Sequence, residues 1–265
     1  MKKYLEVARV LFKTQLVYRF DVIMSALTVA GRALFAWILW GAVFASREQV
    51  GAFTFRTMLS YYIVSAFLAS LDLSEGISGE VSARIRNGTF SKFMVIPAGP
   101  QRYFLAQNFG AAAYYGLFGL ACAAVMVFIF RLDLAITDSR LIFFCAFIME
   151  GIGLVFMASY HYFIGILCFK FQDTSFFIYV QGHIIAFTSG ILIPLSLLPD
   201  GVRALFRFLP FYYVNYLPAM LLTGQEVKAE ALPGLLIISA WVVFMLTASR
   251  AMYHHLRVHY DGVGI

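Results

Sequence analysis

A carboxylate and an imidazole, Glu150 and His161, interrupt an otherwise apolar run from about 141 to 169. They stand eleven residues apart, close to three turns of an α-helix, so both project from nearly the same face. A charged carboxylate deep in hydrocarbon costs on the order of 3 kcal/mol, so Glu150 must face protein or water, or carry a proton. Arg32, in an earlier apolar run, is a candidate counter-charge. Two roles are open to these residues: lining a proton path or substrate route, or clamping helices together through polar contacts. Gln181 and His183, in a later apolar run, offer a weaker version of the same choice.

No other residues are spaced for catalysis. The chain has no G-x-x-x-x-G-K-[ST], so it lacks the phosphate-cradling loop of P-loop motors. It also lacks H-E-x-x-H, G-x-S-x-G and any loop with clustered carboxylates. Cys122, Cys145 and Cys168 lie within or at the edges of apolar runs, form no C-x-x-C pair and have no metal-ligand spacing beside them. They read as small packing residues. No metal site, cofactor or enzymatic activity is expected of this chain.

The elements that position these residues follow from composition. Of 265 residues 62% are hydrophobic, 17% aromatic and only 13% charged, about half the roughly 25% charge of a soluble domain. Several apolar runs exceed about 18 residues, the length at which a helix crosses a bilayer core. The expected class is therefore an all-α integral membrane protein, a single domain over 1–265. The net charge of +6 is spread over several loops without a continuous basic face, which argues against nucleic-acid binding.

Six spans are expected, over about 22–45, from Thr57 through Leu71 and onward, 104–130, 141–169, 174–195 and 231–249. Gly110 to Ala113 and Gly116 give the third a small-residue surface that another helix can approach closely. Ahead of them, Lys2, Glu6, Arg9 and Lys13 recur at helical spacing on one stripe of segment 1–21. This is an amphipathic helix suited to the headgroup layer, with no signal-peptide pattern. Lys and Arg concentrate in 1–21, 72–103, 170–173 and 250–265, which places those segments and both termini in the cytoplasm. Segment 196–230 is read as a short outer helix with Asp200 as N-cap, or as a re-entrant hairpin with the end of span five.

The most distinctive stretch is ARIRNGTFSKFMVIPAGPQRYFLAQ, residues 83–107. Glu80 precedes Arg84 by four residues, the favourable order for a helical ion pair, so the second span should run on to Arg86. Asn87 and Gly88 can end that helix. Thr89 can cap a new short one carrying Phe90, Lys92, Phe93 and Met94, until Pro97 and Gly99-Pro100 turn the chain back. Residues alone leave two readings of it: a rigid handle for a partner, or a solvated basic loop.

This stretch resembles the cytoplasmic segment after the second span in permease subunits of type-2 ATP-binding-cassette exporters. FTSGILIPLSLLPDGVRALFRFLPFYYVNYLPAMLLTG, residues 187–224, is similar to a second signature of that family: Ser-Gly before Pro, Pro before an amphipathic turn, Leu-Pro-Phe, then Pro and Gly. The resemblance spans essentially the whole chain. It implies a multi-pass permease of the cell membrane that pairs with a second permease, identical or homologous, around a substrate pathway. It further implies a separately encoded ATPase subunit that binds the ATP and docks on a coupling helix over 84–95. The residues carried over are Arg84, Arg86, Asn87, Gly88, Thr89, Phe90, Lys92 and Phe93. Relatives often have an acidic residue where Ser91 stands. The family handles drugs, peptides, lipids and polysaccharides, usually outward, and nothing in this sequence selects among them. The rival expectation is a proton-coupled secondary transporter using Glu150 and His161.

Overall fold

The computed structural model describes residues 2–17, 19–95, 99–131, 133–171, 173–225 and 228–260, and the expected stop at Pro97 lies outside them. Among the described residues all extended regular structure is helical, with one isolated bridge between Val50 and Phe53. Twelve α-helices follow in order: α1 Lys2–Gln15, α2 Arg19–Phe44, α3 Phe55–Leu71, α4 Glu75–Arg86, α5 Ser91–Val95, α6 Pro100–Phe130, α7 Arg140–Ile166, α8 Cys168–Phe171, α9 Ser175–Thr188, α10 Asp200–Phe206, α11 Leu217–Leu222 and α12 Ala231–Leu256.

Among the described residues five stretches are long and apolar enough to cross a bilayer: Ala26–Phe44, Phe55–Arg86, Pro100–Val125, Arg140–Phe171 and Ala231–Leu256. The sixth expected span differs. Its helix, α9, has 14 residues, about 21 Å of rise against a hydrocarbon core of about 30 Å. The chain then turns at Ser189-Gly190. Tyr61 and Tyr62 of α3 donate their hydroxyls to the carbonyls of Gly190 and Leu192, each at 2.8 Å, so protein rather than water satisfies this non-helical backbone.

Segment 196–230 divides into a short surface helix and a longer buried stretch. α10 is a surface helix whose Phe206 is buried while Leu205 is exposed. Its N-cap is Pro199 instead of Asp200, whose carboxylate accepts from Arg203 at 2.8 Å. Tyr212 to Leu222, by contrast, is buried along its whole length. It opens with a π-helical turn over Tyr212–Tyr216, in which Leu217 N–H donates to the Tyr212 carbonyl five residues back. Pro218 explains the widening: it has no N–H for the Val214 carbonyl, and its ring crowds that position.

The second span is not one uninterrupted helix, as expected, but α3 and α4 separated by a break. Asp72 leaves the helical conformation and accepts from the Ser74 amide at 3.0 Å and its hydroxyl at 2.5 Å. This local alternative competes with helix continuation. The small-residue surface of α6 is occupied by α1. A Cβ added at Gly110 would lie 2.2 Å from the Ala8 carbonyl oxygen, and Phe12 meets Tyr114 edge-on at 5.6 Å. The Tyr4 hydroxyl accepts from the Gly99 amide at 3.1 Å. The charged stripe of α1 faces away, with Lys2, Glu6, Arg9 and Lys13 all exposed.

α7 runs through the centre. It packs on α12, α4, α11 and the π turn. Two apolar clusters meet along it. The larger joins α3, α7, α11 and α12; the smaller joins α4, α5, the start of α6, the end of α7, α8 and the end of α12.

Candidate functional site

The smaller cluster holds the expected handle. Gly88, at φ +71°, ends α4. The amides of Asn87, Gly88 and Phe90 return to the carbonyls of Ala83, Ile85 and Arg84 at 2.9, 3.2 and 3.0 Å, satisfying the last turn of the helix. Thr89 does not cap the next helix as expected. Its hydroxyl donates back to the Arg84 carbonyl at 3.4 Å, and Ser91 donates to that of Gly88 at 2.9 Å.

α5 is then fastened by its aromatic face. Phe90 and Phe93 are buried, with Phe90 5.3 Å from Phe93 and from Phe169, and Phe93 5.3 Å from Phe104 and 5.1 Å from Tyr103. Phe104 continues to Tyr162 of α7 at 6.0 Å, and Phe90 reaches Tyr253 of α12 at 6.3 Å. Rings from α6, α8 and α12 therefore hold a five-residue helix, with α7 behind Phe104.

The eight residues expected at this handle divide by what they face. Arg84 bonds Glu80 through Nε and Nη2 at 2.9 and 2.6 Å and lies over the Phe93 ring at 5.5 Å; with Gly88, Phe90 and Phe93 it shapes the handle from within. Arg86 reaches Asp173 at 3.8 Å, tying α4 to the connection between α8 and α9. Hydrogen bonds from the Ser175 hydroxyl and amide, with Arg86 adding its charge, hold the Asp173 carboxyl below the usual carboxylate range. Asn87, Thr89 and Lys92 face outward. So do Met94 and Val95, exposed by 39% and 85%, which make the tip apolar as well as basic. Val95 was not singled out in the sequence. Its signal was its place two residues after a Phe that the helix buries.

The polar residues of the spans lie together elsewhere. Arg32, Glu150 and His161 all line one cavity of about 870 Å3 among α2, α3, α7, α9 and the π turn. Glu150 is only 3% exposed, and its Oε2 has no hydrogen-bond partner among the described residues. The expected counter-charge is not seated on it: among the described residues no ion pair within 4.0 Å joins Arg32 to Glu150. Nδ1 of His161 lies 3.2 Å from Nε2 of Gln181, which clamps α7 to α9. Asp72 and Glu75, at the break between α3 and α4, line the same cavity. Sequence reasoning missed both, because they look like the polar end of a span until the helix break turns them inward. Cys145 is a free thiol, Cys168 donates its Sγ–H to the Ser82 carbonyl at 3.5 Å, and the side chain of Cys122 lies outside the described set.

No curated protein sequence matches the chain. The family model described as ABC-2 family transporter protein matches residues 29–264, which takes in the handle, the cavity and all five long apolar helices from Ala26 onward almost in full. A buried aromatic grip on a short exposed helix and a polar cavity among long apolar ones thus sit within a recognised transport domain: the chain belongs to the ABC-2 family of transporter proteins and is a multi-pass membrane protein.

Proposed function

We propose that this chain is the permease subunit of an ATP-binding-cassette exporter. It pairs with a second permease, a copy of itself or a homologue, and is driven by a separate ATPase subunit. The termini, the connection between α8 and α9, and α5 lie on the cytoplasmic side of the cell membrane, a placement that the Lys and Arg bias supports. The chain carries no cofactor; ATP binds and is hydrolysed on the partner.

The observation that carries this reading is the construction of α5. Its outer side presents Ser91, Lys92, Met94 and Val95, while Phe90 and Phe93 are locked between the ends of α4, α6, α7–α8 and α12. A partner that tilts the tip moves a packed unit, because interiors at crystal-like density pass displacement on instead of absorbing it. The proton-coupled alternative gains no comparable support: among the described residues Glu150 Oε2 has no hydrogen-bond partner, and His161 is engaged by Gln181.

Co-expression with the cognate ATPase tests the proposal. A complex should purify whose ATP turnover depends on this chain. Lys92→Glu and Val95→Asp should break that complex while leaving the permease as heat-stable as before. Cargo movement by the purified chain without an ATPase would overturn the proposal.

A further inference from the structure

We infer that the cavity among α2, α3, α7 and α9 is a binding site for an amphipathic organic cation, a ligand with an apolar body and one positive centre. This rests on the reading of the chain as the cargo-bearing subunit. At about 870 Å3 the cavity matches a drug-sized ligand, since such sites run to about 300–1,000 Å3. Its walls are mainly apolar and partly aromatic, with Phe35, Trp40, Tyr62 and Phe211 among them.

The charge of the lining is what selects the sign. Asp72, Glu75 and Glu150 contribute three carboxyl groups against one guanidinium, that of Arg32. Arg32 is exposed and forms no ion pair within 4.0 Å among the described residues, so it does not neutralise Glu150 at contact distance. Asp72 lies within electrostatic reach of Glu150 on the same cavity wall. Glu150 Oε2 and Ser189 Oγ are both buried, belong to residues lining the cavity, and have no hydrogen-bond partner among the described residues. An unpaired polar atom out of contact with water is costly. A cationic centre in the cavity supplies a counter-charge beside Glu150, and the aromatic walls offer it π faces. A neutral cargo leaves Glu150 without its counter-charge. An anion adds repulsion from three carboxyl groups.

Two ions of the same shape and opposite charge test this. Full-length chain in nanodiscs of zwitterionic lipid is titrated with tetraphenylphosphonium and, separately, tetraphenylborate, and binding to empty nanodiscs is subtracted. Saturable binding of the phosphonium, at least about threefold tighter than that of the borate, is expected. Glu150→Gln keeps the side-chain size and should weaken phosphonium binding by about threefold or more. Asp72→Asn, which retains an oxygen for Ser74, serves the same purpose if the first variant does not fold. Ala186→Trp, which fills the cavity without touching its charge, should abolish binding, and Asp200→Asn on the surface helix α10 should leave it unchanged. Equal binding of the two ions overturns the inference, as does smaller weakening in the folded charge variant or full binding by folded Ala186→Trp. ATPase dependence is read separately. Selective binding without any ATPase complex sinks the exporter reading and leaves the cation site standing; the converse result sinks the cation site alone.

Discussion

The ring of Phe90 stands edge-on to the ring of Phe169, 88° between planes and 5.3 Å between centroids. That one contact joins the turn leading into α5 to the end of the fourth apolar stretch. It converts α5 from a loop decoration into part of the packed body. Truncating Phe90 to Ala should cost about 3–5 kcal/mol, as for other large aromatics removed from a core. The check is a thermal melt of the purified chain, which should fall well below wild type; an unchanged midpoint would mean that α5 is not anchored this way.

Gly110 lets α1 reach α6 backbone to side. Because a Cβ there would meet the Ala8 carbonyl at 2.2 Å, Gly110→Leu should push α1 off. Overpacking of this kind costs about 1–3 kcal/mol. Limited proteolysis should cut within 2–17 faster in the variant than in wild type, with the rest of the chain resisting as before.

Asn215 holds the π turn to α3. Ser65 Oγ donates to its Oδ1 at 2.6 Å, and its Nδ2 donates to the Ser65 carbonyl at 3.0 Å. Asn215→Leu removes both bonds and takes from the buried Ser65 hydroxyl its acceptor across the helix pair, while the Ser65 carbonyl keeps its place in the α3 ladder; it should destabilise by about 1–3 kcal/mol. Ser65→Ala leaves the second bond intact and should cost less. Unfolding of both variants and of the double variant measures the coupling between the two.

Asp173 gives a pH signature. Its carboxyl is held below the ordinary value of 3.8, chiefly by the Ser175 hydroxyl and amide. A depressed folded-state value means that the stabilisation is whole above 3.8 and is lost as pH falls through the lowered one. Protection of the Ser175 amide from hydrogen exchange, corrected for the intrinsic rate, should therefore persist at pH 5 and drop in strong acid. Asp173→Asn should flatten that dependence.

Composition and run length alone determined that the chain is helical and crosses a membrane, because an apolar stretch without water must satisfy its own backbone. Local chemistry was equally legible. The Glu80–Arg84 pair, the glycine ending α4 at residue 88 and the small surface at Gly110 depend on neighbours a turn away or on the absence of a Cβ. Distant packing decided the rest. That Phe90 and Phe93 point inward while Met94 and Val95 point out depends on Phe104, Phe169 and Tyr253, which come from three other helices. That α9 stops at Thr188 depends on two tyrosine hydroxyls of α3. Helical periodicity put Glu150 and His161 on one face, but only the assembled helices brought Asp72, Glu75 and Arg32 to the same cavity, since a one-dimensional pattern carries no information about which faces meet.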